Sequence, residues 1–251
     1  MTNASHIYWH FQMKIPARRR FTTLVKDQDM SIELFRKYGS SYIKDAGFSP
    51  DSLIQLAIQL ATTRLFGKQV ATYESSQVRH YLHGRTETTR LVSSASHEFV
   101  KRMGLHPEPL DTDVEGRNEK IALLKKAAWA HSRYLMAASS GYGCDRHFFG
   151  LSMLLNEDEN PPALYRDPVF QRSKHWRVST STLPVLLGFG CVVDDGVGIG
   201  YEIGPDDIFF SISSREKYAW TDKLGHLIEE ALLEIRMLID LDSSQTPKSK
   251  L

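Results

Sequence analysis

Ser49-Pro50-Asp51-Ser52-Leu53-Ile54-Gln55-Leu56-Ala57-Ile58-Gln59-Leu60-Ala61-Thr62-Thr63-Arg64-Leu65-Phe66-Gly67, closely followed by Val70-Ala71-Thr72-Tyr73-Glu74-Ser75, is the stretch that decides the fold. Ser49 stands where a helix N-cap needs a hydroxyl, and Pro50 suits the first turn. Leu53, Leu56, Ala57, Leu60, Ala61 and Leu65 recur at helical spacing, and Gly67 supplies the stop. Residues 70–74 then read as a buried strand. A long apolar helix feeding a buried strand implies helices layered on a sheet.

Working outward, residues 27–37 read as a short helix stopped by Gly39, and residues 93–103 as another helix. Residues 105–117, rich in Pro and Asp, read as a surface loop. A long helix over 119–139 is broken by the glycines of 141–143, a further helix covers 145–155, and a polar loop covers 156–162. Strand-like runs follow at 176–182, 196–203 and 208–213. The chain closes on an amphipathic helix with the stripe Trp220, Leu224, Leu227, Ile228, Ala231, Ile235 and Leu238. No repeat or linker divides it, so the expectation is one α/β layered domain over 24–241, a mixed sheet covered by helices.

Residues 1–23 stand apart. No acidic residue precedes Asp27, while Lys14, Arg18, Arg19, Arg20 and Lys26 are basic, a composition shared with mitochondrial transit peptides. Pro16 and the cluster Tyr8-Trp9-Phe11 argue against an amphipathic helix, so an irregular or targeting-like segment is expected. Residues 242–251 are expected to be a polar, frayed tail.

The 251 residues suffice for a sizeable core, and the contents of 41% hydrophobic and 24% charged residues are those of a globular protein. With 31 basic against 30 acidic residues, nucleic acid is excluded as a bulk partner, while a local basic pocket for one phosphate is not. Cys144 and Cys191 are too few for a disulfide framework and fit a reducing compartment. No apolar run approaches the roughly 20 residues that span a bilayer. No His or Cys spacing points to a metal, so none is expected. The polar strings Thr72-Tyr73-Glu74-Ser75 and Gly84-Arg85-Thr86-Glu87-Thr88 gather hydroxyls, a phenol and an arginine near a buried edge, which implies a polar, charged ligand.

Those two strings belong to a longer ordered series: Ser49-Pro50-Asp51 before them, then Asp145-Arg146-His147, Ser179-Thr180-Ser181, and Asp195-Gly196 with Gly200-Tyr201. The series resembles the choline/carnitine acyltransferase family from about Leu24 to Leu241, and only its C-terminal half. The resemblance implies a chloramphenicol acetyltransferase-like domain and acyl transfer between acyl-CoA and carnitine, with coenzyme A and carnitine as substrates and no cofactor. The family's general-base histidine lies in a His-x-x-x-Asp-Gly motif of the N-terminal half. None of the ten histidines here stands in that motif, so none is expected to be catalytic. The N-terminal half would then be a partner, and the chain alone would be inactive; the alternative is a truncated remnant that binds without turnover.

Residue by residue, the resemblance implies that Tyr73, Thr86 and Arg146 hold the carnitine carboxylate; choline enzymes lack the last two. Ser179 and Ser181 would face the tunnel, Ser181 supporting the oxyanion, and Phe189 would line the trimethylammonium. Lys44 would contact the 3′-phosphate of coenzyme A, although Ser40 stands where the family has a first lysine. Asp51, Glu74 and Ser75 would meet the nucleotide and pantetheine arm. Each has a purely structural alternative: a salt bridge at a helix start for Arg146, a satisfied core phenol for Tyr73, a solvated surface lysine for Lys44, and a first-turn acid on the helix dipole for Asp51. Phe189 could be plain core, and the serines a solvated strand face. The strings look most like the long-chain mitochondrial inner-membrane branch, which implies medium- to long-chain fatty acid metabolism, a mitochondrial location and peripheral membrane association. Leu187, bulky where that branch has a small residue, runs against long chains.

Overall fold

The computed structural model describes residues 4–108, 114–155, 160–183 and 187–245, with side chains between 14 and 243. In chain order the elements are α1 (Ala4–Lys26), β1 (Gln28–Phe35), α2 (Ser40–Asp45), α3 (Pro50–Phe66), β2 (Thr72–Gln77), β3 (Thr86–Arg90), α4 (Ser94–Met103) and α5 (Val114–Ala137). They continue with α6 (Asp145–Met153), α7 (Ala163–Arg166), α8 (Pro168–Ser173), β4 (Val178–Thr182), β5 (Val197–Ile203), β6 (Ile208–Arg215) and α9 (Thr221–Gln245).

The helix that decides the fold forms as its sequence dictates. Ser49 accepts a hydrogen bond from the Ser52 amide, and Gly67 ends α3 in the left-handed conformation at φ 69°. Every residue from Ser52 to Thr63 is buried. A helix apolar nearly all round has to be enclosed on all sides, and α3 is: it packs against α4, α5 and α9 and shares one core with the sheet. An ion pair of 2.7 Å between Arg64 and Glu234, both inaccessible, ties α3 to α9. The stripe Leu224, Ile228, Ala231, Ile235 and Leu238 of α9 is buried as expected.

The sheet order is β1-β6-β5-β4-β2-β3. β2, β4 and β5 run parallel, with Tyr73 opposite Ser179 and Ser179 opposite Gly198. β1, β6 and β3 are antiparallel to their neighbours. The expected α/β layering with a mixed sheet covered by helices is the observed architecture.

Two expectations are corrected. Residues 28–35 form an edge strand, where a helix was expected over 27–37. Eight residues pair with β6, and exposed Met30, Ile32 and Leu34 alternate with more buried neighbours, a period of two that short-range helix propensity concealed. Gly39 does not cap a helix there. It lets the backbone approach residues 204–205, where an added Cβ would sit 2.5 Å from the Gly204 carbonyl. The N-terminal segment expected to be irregular is α1, which accommodates Pro16 within it, and from residue 14 on its side chains are exposed. α5 also begins earlier, at Val114, with Gly116 and Arg117 buried inside it. Parts of the loops expected over 105–117 and 156–162, and the tail beyond residue 245, lie outside the described residues.

Because Leu56 is fully inside while Leu24 is 58% exposed on α1, Leu56→Ala should lower unfolding free energy by about 2–5 kcal/mol. Leu24→Ala should change it by less than about 0.5 kcal/mol. Chemical denaturation of the two variants checks this.

Candidate active site

Pleating sorts the expected residues onto two faces of the sheet. Tyr73 and Ser75 of β2, Ser179 and Ser181 of β4, and Gly198 and Gly200 of β5 share one face, because Tyr73 opposes Ser179 and Ser181 opposes Gly200. Glu74 and Thr180, one residue on, oppose each other on the face under α3. The pair Glu74-Ser75, expected to serve one substrate arm together, is therefore split across the sheet. Ser181, Thr182 and Ser75 lie toward the carboxyl ends of parallel strands, where open α/β sheets place their ligands.

At the sheet edge, register puts Thr86 opposite Gln77 and hence on the Tyr73 face, about 13 Å of strand away from Tyr73. The Arg146 guanidinium donates to the Thr86 carbonyl at 3.1 Å and to its hydroxyl at 3.3 Å, and the Arg146 amide donates to Glu87 at 3.2 Å. Arg146 remains exposed, whereas the salt bridge at the start of α6 is made by Asp145, to Arg90 at 2.6 Å. Arg90 in turn lies over Trp176, which packs on Tyr73 with ring centroids 5.6 Å apart. The β2–β3 turn that sets this register needs Gly84, since a Cβ there would collide with the Val78 carbonyl.

A loop lies on the same face. Ser211 donates to the Leu187 carbonyl at 2.9 Å and Ser213 to the Phe189 carbonyl at 2.5 Å. Added Cβ atoms on Gly200 and Gly198 would sit 2.9 and 2.8 Å from those two carbonyls. Two glycines alternating on one strand face were the available signal for this close approach. Phe189 is partly buried at the loop's centre.

Under the sheet, Asp51 in the first turn of α3 meets Glu74. Tyr201 Oη lies 2.5 Å from Asp51 Oδ1, 2.8 Å from Glu74 Oε1 and 2.8 Å from Gln55 Nε2. His131 of α5 shares a hydrogen bond of 2.9 Å with Ser52 through Nδ1, while Nε2 stands 3.8 and 3.7 Å from Asp51 Oδ2 and Glu74 Oε2. Burial, and then the charge of Glu74, push the Asp51 carboxyl above its usual range. Burial, and then both carboxylates, push the Tyr201 phenol well up. The ligand atoms of Asp51, Glu74 and His131 lie within 4.8 Å of one another, a spacing that would also suit a small cation. Gln55, His131 and Tyr201 carried no expected role. Gln55 was legible as a polar residue inside an apolar helix, and Tyr201 as part of an ordered motif.

Lys44 is exposed at the end of α2, one short turn before Asp51. Asp195 of the Asp-Gly motif binds His175 at 2.7 Å and Arg177 at 3.0 Å. It borders a cavity of about 510 Å³ lined by Lys68, Val70, Arg172 and Arg177, at the opposite, amino ends of β2 and β4. None of the expected site residues lines that cavity.

A family model described as Choline/Carnitine o-acyltransferase matches residues 11–230. A carnitine O-acetyltransferase of Columba livia is 37% identical over 242 residues, covering 94% of this chain and 37% of the relative. The mitochondrial carnitine O-acetyltransferase of Saccharomyces cerevisiae is 36% identical over 239 residues, covering 92% and 35%. A choline O-acetyltransferase of Sus scrofa is 33% identical over 228 residues, covering 88% and 35%. The chain thus spans little more than a third of the length of these relatives. Among solved structures, a chloramphenicol acetyltransferase aligns over 82% of this chain and 89% of its own, with a TM-score of 0.39 and 12% identity.

Gly200→Val should displace the loop at 187–190 while leaving β5 paired. The Gly188 and Gly190 amide resonances should then move in an NMR spectrum while those of β5 distant from residue 200 stay in place; unmoved Gly188 and Gly190 resonances would remove Gly200 from that role.

Proposed function

The chain belongs to the choline/carnitine acyltransferase family, and from that premise we propose that it forms the substrate-gripping C-terminal half of a carnitine O-acyltransferase. The observation that carries this reading is the exposed Arg146 guanidinium bonded to Thr86 on the face that also bears Tyr73. A carboxylate arriving there gives the guanidinium an ionic partner that can accept two parallel bonds, which adds both energy and geometric specificity. Choline has no carboxylate to offer. Relatives of both kinds match at similar identity, so the choice of carnitine rests on Thr86 and Arg146.

The remaining roles follow the faces of the sheet. Ser179 and Ser181 sit beside Tyr73, and Ser181 donates to the oxyanion formed as the acyl group moves, a contact worth a few kcal/mol. The Phe189 ring stands beside the trimethylammonium, where a cation gains about 0.5–2 kcal/mol. Ser75 on the open face, Asp51 at the start of α3 and Glu74 behind it serve the coenzyme A arm, and Lys44 meets its 3′-phosphate. Bulky Leu187, and the acetyltransferase names of the relatives, favour a short acyl group over a medium or long one.

His131 is not placed to act as base: it is buried, with one nitrogen on Ser52 and the other facing carboxyl oxygens. In this reading the base belongs to the N-terminal half that the resemblance implies, and residues 1–251 by themselves bind without turning over. A binding-only remnant is the second reading, favoured by the same lack of a His-x-x-x-Asp-Gly motif. The yeast relative and the basic α1 support a mitochondrial setting. Among the described residues no helix is long and apolar enough to cross a membrane.

Isothermal titration should give a carnitine affinity that Arg146→Ala lowers about 10–100-fold, about 1.4–2.8 kcal/mol, with coenzyme A affinity unchanged. Equal losses for both ligands would strip Arg146 of its assignment. Acyl transfer by the chain alone should be absent, and adding a histidine-bearing half should restore it; steady turnover without that half would show that a base is present after all.

A further inference from the structure

Three side chains from two elements close around the Tyr201 phenol of β5 under the sheet: Asp51 and Gln55 of α3 and Glu74 of β2. A phenol owns one proton, and the Gln55 amide nitrogen can only donate. It gives hydrogen bonds to Tyr201 Oη at 2.8 Å and to Thr180 Oγ1 at 3.0 Å. Tyr201 can therefore serve just one of the two carboxyl oxygens lying 2.5 and 2.8 Å from it. With both acids ionised, the other oxygen would face a lone pair at hydrogen-bond distance. One added proton closes the count: the protonated carboxyl donates to Tyr201, and Tyr201 donates to the ionised one.

The surroundings point the same way. The titratable groups facing the pair are Tyr201 from β5 and His131 from α5. Gln55 and Ser52 from α3 and Thr180 and Thr182 from β4 are uncharged. The Glu74 side chain is 5% exposed and that of His131 is 2%. The far oxygens Asp51 Oδ2 and Glu74 Oε2 accept no hydrogen bond. Asp51 is 24% exposed, so water screens it in part, yet a second full charge beside buried Glu74 remains costly without compensation.

We propose that Asp51 and Glu74 hold one proton between them at neutral pH, with Tyr201 and Gln55 as positioning residues that fix its place. The pair then carries one negative charge instead of two. Its link to substrate rests on the coenzyme A assignment above: the polyanionic coenzyme would meet a doubly charged pair once that proton leaves, and its affinity would fall with rising pH. The proton itself does not depend on that assignment. Burial, and then the charge of Glu74, hold the Asp51 proton above the ordinary carboxyl range near pH 4. The native state therefore binds more protons than the unfolded state. The stability this contributes is complete below about pH 4 and is lost as pH rises through the folded value of Asp51.

Infrared spectroscopy of the chain at pH 7 tests this directly. The wild type should show the C=O band of a neutral carboxylic acid that is lost in both Asp51→Asn and Glu74→Gln, because the remaining acid in each ionises. Tyr201→Phe should keep the band but shift its frequency, which an inert packing role would not do. Thermal melts from pH 4.5 to 8.5 should fall more steeply with pH for wild type than for Asp51→Asn. A spectrum without the band, parallel melting profiles, or a stoichiometric divalent ion removable by chelator would each overturn the shared proton. Coenzyme A titrated at pH 6.5 and 8.5 should lose more affinity with wild type than with Asp51→Asn. Failure of coenzyme A to bind at either pH, with the band present, would leave the proton pair standing and remove only its substrate.

Discussion

The parallel pairing of β2 with β4, Tyr73 against Ser179, is the constraint on which the rest depends. It joins segments about a hundred residues apart in sequence and fixes which side chains share a face. A slip of one residue would exchange the faces, sending Glu74 into the open and Tyr73 under α3. Such a slip is opposed from below, where Gln55 bonds Thr180 and Tyr201, and Tyr201 meets Asp51 and Glu74, in this register. It is blocked from above by the loop at 187–190, seated on Gly198 and Gly200.

Buried polar groups are costly unless paired, yet the centre of this fold contains a cluster of them. The cluster lies between the most buried helix and the carboxyl ends of the parallel strands. α3 thus has two duties: its leucines and isoleucines supply core, while Asp51 and Gln55 organise charge behind the open face. The Arg64–Glu234 pair, at the far end of the same helix, anchors it to α9 without reaching that face.

Elements with strong local signals were legible in the sequence. The capped, glycine-stopped α3 and the striped α9 formed where periodicity placed them. β1 was not legible, because its eight residues become a strand only by pairing with β6, a contact invisible to local spacing. α1 escaped notice for the opposite reason: among its described side chains, from residue 14 on, no buried stripe announces it. In the site, short strings located Thr86 and Arg146, which the structure joins, and Tyr73, Ser179 and Ser181, which it lines up. That Glu74 and Ser75 face apart follows from the pleat of β2, not from their adjacency in the string. Tyr201 was legible only as part of an ordered motif and His131 not at all, because their meaning lies in the carboxyls they meet across the fold.

The central claim is that Tyr73, Thr86, Arg146 and Ser179 act as one site for a carboxylate-bearing cation. The most direct measurement is a side-chain and amide NMR titration of the chain with carnitine and, separately, with choline. Carnitine should perturb all four residues along a single saturation curve, and choline should leave Thr86 and Arg146 unmoved. Independent curves for the four, responses confined to the cavity around Lys68 and Arg172, or identical behaviour with choline would contradict the account.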